Sequence, residues 1–203
     1  TDIPKMENAE VADLMARFEP LVKHFNRYLT IGGFPELALS DDDLYAQRML
    51  REDVVDKVIK RDVLTLFKVR SPLLMEKLFL YLCMNSTEIF SATTAAKELD
   101  NISPNTIESY VDALVKSNLI YMAYPIAVGS KSVLKGRPKI YIADAAIRNA
   151  VLMVDDVLSD ERELGLLIET TVYKHLVSFY QGTGAQLGLS LIHISEPTRL
   201  ALI

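Results

Sequence analysis

The stretch SPLLMEKLFLYLCMNSTEIFSATTAAKELDNISPNTIESYVDALVKSNLIYMAYPIAV, residues 71–128, decides how the rest of the chain is read. Residues 71–85 place Leu74, Leu78 and Leu82 beside Met75 and Phe79, the spacing of one helix face. Residues 93–99 form a short helix candidate. Asn101-Ile102-Ser103-Pro104 is a turn that ends in an N-cap, Ser103, with Pro104 at the first helical position, where its missing N–H costs nothing. Residues 106–118 carry Ile107, Val111, Leu114 and Val115 on one face, and a β-branched and aromatic run, 119–128, follows at once. Helix, short helix, tight turn, helix and strand is the order of a winged helix-turn-helix.

Around this stretch the composition is that of a soluble globular protein. At 203 residues there is room for a sizeable core, and a net charge of −5 makes no global case for nucleic acid. Any basic surface must be local. No apolar run approaches the roughly 18 residues needed to cross a bilayer, and no secretory signal opens the chain, so a cytoplasmic protein without a membrane partner is expected. Cys83 is the only cysteine and lies on an apolar helix face, which excludes disulfides and predicts a buried thiol.

Both ends change the reading. The chain starts at Thr1 within a polar segment, and residues 189–199, LSLIHISEPTR, resemble a translated transposase sequencing adapter. Residues 189–203 are therefore set aside as a fusion scar, His193 and Glu196 with them, and the protein is expected to be a fragment cut at both ends.

Upstream, residues 2–25 have helical spacing with a break at Pro20, and Gly32-Gly33-Phe34-Pro35 is a sharp turn. Ser40 is the expected cap of a helix whose first turn is Asp41-Asp42-Asp43. Three carboxylates invite a metal reading, but the helix dipole explains them. The helix of residues 44–67 turns Leu50, Val54, Val58 and Leu64 inward. From 47 to 70, Arg48, Arg51, Lys57, Lys60, Arg61, Lys68 and Arg70 outnumber Glu52, Asp53, Asp56 and Asp62, which leaves a polyanion- or partner-docking face or a solvated face laced with i,i+4 pairs.

The presumed recognition helix is acidic, with Glu108 and Asp112 against Lys116. Asn105, Thr106 and Ser109 are its candidate DNA contacts, although helices that enter a major groove usually bring cations. The stronger basic cluster is the following loop, where Lys131, Lys135, Arg137 and Lys139 lie where a wing would be and could contact phosphates; a solvated hairpin tip explains them equally. Residues 139–144, KIYIAD, alternate as a strand, 145–152 make a short helix, 155–163 an acidic loop and 164–180 a further helix. Residues 181–188 are Gly-rich and lack the strand and helix of a phosphate-binding loop. No P-loop string, serine elbow or His/Cys metal spacing occurs, so no catalytic, nucleotide-binding or cofactor residue is assigned within the chain.

YLTIGGFP (28–35), VIKRDV (58–63), residues 91–99, SPNTIESYVDALVKSNL (103–119), KIYIAD (139–144) and GLLIETTVYKHL (165–176) follow one another in an order that resembles a known family. It is the prokaryotic family of AAA-superfamily ATPases whose C-terminal half is a conserved domain of unknown function. The resemblance, spanning residues 28–180, implies an N-terminal ATPase domain that uses ATP and Mg, then a helical segment, a winged helix and a region similar to restriction-endonuclease-like folds. In that last region a helix glutamate contributes to a divalent-metal site, and Glu169 is its counterpart here. Read without the resemblance, Glu169 is a helix carboxylate packed near Lys174 or capped by solvent. Asp144 is followed by Ala145-Ala146 where the family usually shows a glycine, which weakens any role for Asp144.

The expected fold is α+β and mostly helical: a helical linker or lid (1–70), a winged helix (71–135), the start of a truncated α/β nuclease-like region (136–188) and the adapter-like tail (189–203). The expected function is the C-terminal part of an AAA-type ATP-binding protein that engages DNA or a protein partner, the missing ATPase domain acting upstream. A stand-alone winged-helix transcriptional regulator and a protein-interaction or self-association module are the alternatives.

Overall fold

The computed structural model describes residues 7–67, 69–126, 136–154, 156–180, 183, 187–190 and 199–202. The chain is α+β and mostly helical. Helix α1 (Asn8–Phe18) leads through a 3-10 turn at Glu19–Leu21 into α2 (Val22–Ile31), the turn falling at Pro20, which has no N–H to donate. A short α3 (Pro35–Ala38) follows Gly32-Gly33. Helix α4 (Asp43–Arg51) continues as a widened π-helical stretch, Glu52–Val63, into α5 (Leu64–Leu66). The cap of α4 is Asp42 and not Ser40. The Asp42 carboxylate accepts from Tyr45 N at 2.9 Å, while the Ser40 hydroxyl is held in a local turn by Asp42 N at 3.2 Å.

Residues 71–123 fold in the expected order: α6 (Pro72–Met84), α7 (Ala92–Glu98), α8 (Pro104–Lys116) and β1 (Ile120–Ala123). Ser71 caps α6 and Ser91 caps α7, each accepting an amide three residues on at 3.3 Å. Asp100 and Asn101 take the left-handed backbone that turns α7 toward α8, and Lys77 on α6 bonds Asp100 at 2.8 Å. Leu74, Leu78 and Leu82 of α6 bury against Ile107, Val111 and Leu114 of α8, each such side chain contributing about 1.5–3 kcal/mol.

β1 pairs antiparallel with β3 (Lys139–Ile142) in the register Ile120↔Ile142 to Ala123↔Lys139. Along the other edge of β3, Thr87 and Phe90 donate to Ile140 and Pro138 at 2.7 and 2.8 Å. Beyond β1, β2 (Pro125–Ile126) pairs in parallel with β4 (Leu187–Ser190), which pairs antiparallel with β5 (Arg199–Leu202). The adapter-like string thus supplies strands, and Leu189 is buried: alternating apolar residues beside an open edge pair with it whatever their origin.

Helix α9 (Ala145–Leu152) is the hub. Every residue from Ala145 to Val151 is buried, because α2, α4, α6, α10 (Glu161–Tyr180) and β3 all pack against it. Its two polar side chains are held there by hydrogen bonds, although the Asn149 Oδ1 is buried without a partner among the described residues. Arg148 donates to Cys83 O at 3.1 Å and to both Glu163 oxygens at 2.6 and 3.2 Å, and Asn149 donates to Leu29 O at 3.0 Å. The segments expected as linker, winged helix and nuclease-like region meet on this one helix.

Candidate functional site

Asp144 closes β3 and caps α9, its Oδ1 accepting from Ala146 N at 2.9 Å. Its Oδ2 accepts from Lys174 Nζ of α10, and the same ammonium donates to the Tyr28 hydroxyl at 3.0 Å. The Gly32-Gly33 turn lies over the pair. Gly32 has φ +77°, and a Cβ there would come within 2.7 Å of Asp144 Oδ1 and 2.9 Å of Ala146 Cβ. The alanines after Asp144 therefore do not disable it: the carboxylate anchors a three-element junction. Burial pulls the Lys174 pKa down, but the Asp144 charge and the hydrogen bonds of Asp144 and Tyr28 outweigh it and raise it overall. Lys174 is held as a cation, suited to clamping and not to nucleophilic attack.

About one turn earlier on α10, Glu169 Oε1 accepts from Lys139 Nζ at 2.5 Å and from the Tyr141 hydroxyl at 2.7 Å. Burial, reinforced by Glu169, pushes the Tyr141 phenol well above its ordinary range. Tyr173 stacks on Tyr141 with ring centroids 4.1 Å apart, and burial pushes its phenol up to about 12. The partners of Glu169 are thus an ammonium and a phenol, not Lys174 and not a second carboxylate. Among the described residues no three His, Cys, Asp or Glu side chains converge as metal ligands would. This donor set neutralises a carboxylate and does not fit the divalent cation that the family resemblance implies.

The same tyrosine leads outward to a groove of about 830 Å³ between α8 and β1. Val111, Ile120 and Tyr173 line it with apolar surface, and Glu108, Asp112 and Arg137 line it with charge, Asp112 being paired with Lys116 at 2.6 Å.

The residues expected to meet nucleic acid divide accordingly. Asn105 and Ser109 are exposed on α8, Thr106 is half-buried and Arg137 is exposed. Lys139 is 9% exposed, and its ammonium is taken by Glu169, so it cannot reach a phosphate without breaking that pair. Lys131 and Lys135 lie outside the described residues. Sequence reasoning passed over Tyr28, Arg148 and Glu163, and named Lys174 only as a neighbour of Glu169. For Lys174 a signal existed: an aspartate ending a buried strand needs a cation, and α10 offers that one.

The chain belongs to a family without an assigned role: the profile of a domain of unknown function (DUF8612) matches residues 22–158. Two archaeal relatives extend the likeness. Uncharacterized protein MJ1544 of Methanocaldococcus jannaschii is 25% identical over 160 residues, covering 77% of this chain and 34% of that protein. Uncharacterized protein MJ1637 of the same organism is 30% identical over 170 residues, covering 82% and 35%. The chain thus spans about a third of the length of the curated relatives it matches. No solved structure matches it. No helix among the described residues is long and apolar enough to cross a membrane.

Proposed function

We propose that the chain is the C-terminal, partner-engaging part of a longer AAA-type ATP-binding protein of the cytoplasm, in which α6, α7, α8 and the β1–β3 pair act as a winged-helix unit. ATP and Mg would be used in the missing N-terminal domain, and the winged helix would transmit or anchor the resulting motion. The α8–β1 groove is the engaging surface, and a protein is its favoured partner. One observation supports this choice: the groove is lined by Val111, Ile120 and Tyr173 together with Glu108, Arg137 and an Asp112 already paired with Lys116 at 2.6 Å. Its lining thus has no excess of cations for a phosphate backbone and offers apolar surface to a protein segment. No metal-dependent cleavage is assigned to Glu169.

Arg137, exposed at the rim, supports the alternative of DNA engagement together with Lys131 and Lys135. The test has two arms. The intact locus is expressed and assayed for ATP hydrolysis with Mg; no P-loop and no hydrolysis would defeat the ATPase reading. Duplex binding is measured between about 50 and 200 mM salt, where phosphate contacts weaken steeply. Absence of binding at low salt supports the protein partner; salt-dependent binding lost in K131A/K135A/R137A establishes DNA instead.

A further inference from the structure

Helix α1 poses a problem that the fold does not solve. None of its residues is buried, and an isolated helix of its 11 residues is marginal in water. Its apolar residues are nevertheless ordered. Val11, Leu14, Met15, Phe18, Leu21, Val22 and Phe25 fall within an arc of about 120° at 100° per residue, a stripe that runs through the Pro20 turn into α2. Met15, Phe18, Leu21, Val22 and Phe25 are 41–68% exposed, so the stripe faces outward along most of its length. Contiguous apolar surface of this kind marks a place where something else packs.

We propose that this stripe is the docking surface for another folded part of the same longer polypeptide. Two observations choose that occupant. The chain spans about a third of its relatives' length, so in them most of the protein lies outside the region described here. The family profile begins at Val22, so α1 stands outside the matched unit, at its border. A lipid surface fits poorly. Glu7, Glu10, Asp13 and Glu19 flank the stripe against only Arg17 and Lys23, whereas helices that lie on membranes carry cations there. The inference rests on the reading above only in treating the chain as part of a longer protein, and it does not require that protein to hydrolyse ATP.

The protein supplies a quiet background for the test. Cys83 is its one cysteine, fully buried, with its thiol pKa pushed up by burial, so a thiol introduced elsewhere reports alone. Phe18→Cys, with Met15→Cys as a second position, is placed both in the 203-residue chain and in the polypeptide expressed from the intact locus, and maleimide labelling rates are compared. Leu39→Cys, off the stripe and exposed, is the control. The expected result is a labelling rate at least tenfold lower in the longer polypeptide at both stripe positions, with the control unchanged. Equal rates in the two proteins overturn the proposal, as does a locus that encodes nothing beyond this chain. Protection already present in the 203-residue chain and relieved on dilution assigns the stripe to a second copy and overturns it equally. Protection without ATP hydrolysis would leave this inference standing while defeating the ATPase reading.

Discussion

Lys174 and Asp144, thirty residues apart, meet in an ion pair that joins the last long helix to the N-cap of the most buried one, with Tyr28 of α2 as the third member. Breaking one side of a pair so placed leaves the other charge stranded. Lys174→Ala is expected to cost roughly 3 kcal/mol of unfolding free energy. Asp144→Asn keeps an acceptor at the cap and should cost less, because Lys174 can swing toward solvent. Urea unfolding of the three proteins checks the order, and equal costs would count against a stranded charge.

Gly32 admits no side chain. Its backbone is left-handed, and the Cβ of an alanine would meet Asp144 Oδ1 and Ala146 Cβ below contact distance. Gly32→Ala is expected to lose about 2–4 kcal/mol, combining strain with displacement of the Asp144 cap. A shift in the urea midpoint of less than a quarter of that in Lys174→Ala would show that the turn can move aside.

Lys139 should act through stability and not through nucleic acid affinity. Its pair with Glu169 is part-buried, the Glu169 side chain being 33% exposed and still bonded by Tyr141. Lys139→Ala is therefore expected to lose about 1–2 kcal/mol, whereas the double replacement Lys139→Met/Glu169→Leu should recover most of it. A double-mutant cycle with no coupling would refute the pair. Loss of DNA binding in a fully stable Lys139→Ala protein would restore its role as a phosphate contact.

Alkaline pH should unfold the protein in stages. In the unfolded chain the Cys83 thiol titrates near its ordinary 9.0, but burial holds it protonated well above that in the folded state. The folded state therefore keeps a proton that the unfolded state gives up. Stability is full below pH 9 and falls above it, by about 1.4 kcal/mol per pH unit for this group. Above 10, Tyr141 and Tyr173 act in the same direction, with Lys174 joining above 10.5, so the loss steepens. Cys83→Ala should abolish the first stage only. Urea midpoints measured at pH 8, 9.5 and 10.5 in both proteins decide it, and a flat profile to pH 10 in the native sequence would sink the argument.

The helices of residues 71–116 were legible because periodicity and turn residues agree there, and the expected ends fall within a few residues of those observed. The caps were less so: the expected cap Ser103 stands at its position without a side-chain cap hydrogen bond, while Ser71 and Ser91, not read as caps, make theirs. α9 was legible as a helix but not as a hub. Periodicity identifies a face, and a helix buried on every side has none to identify. Charge counting failed at Lys139 for a related reason: sequence separates it from Glu169 by thirty residues, and nothing local distinguishes a paired lysine from a solvated one. The strip from Thr87 to Phe90 went unread because two or three hydrogen bonds on an edge need no alternating pattern. Of the candidate site, the acidic residues of α8 were visible, since Glu108 and Asp112 follow from the helix face alone. The aromatic lining beside them needs α10, which no local signal places.

The hydrogen bond from Asn149 to Leu29 O spans 120 residues, and that from Lys174 to Tyr28 spans 146. On a ribosome that adds about 5–20 residues per second, α2 and α4 emerge and wait on the order of ten seconds before α9 arrives to cover them. During that interval their inner faces, Leu29, Ile31, Ala46 and Leu50 among them, lack the native surface that α9 supplies. Nascent chains stalled before residue 145 should accordingly be the ones that chaperones hold, and release should follow synthesis of that one short helix.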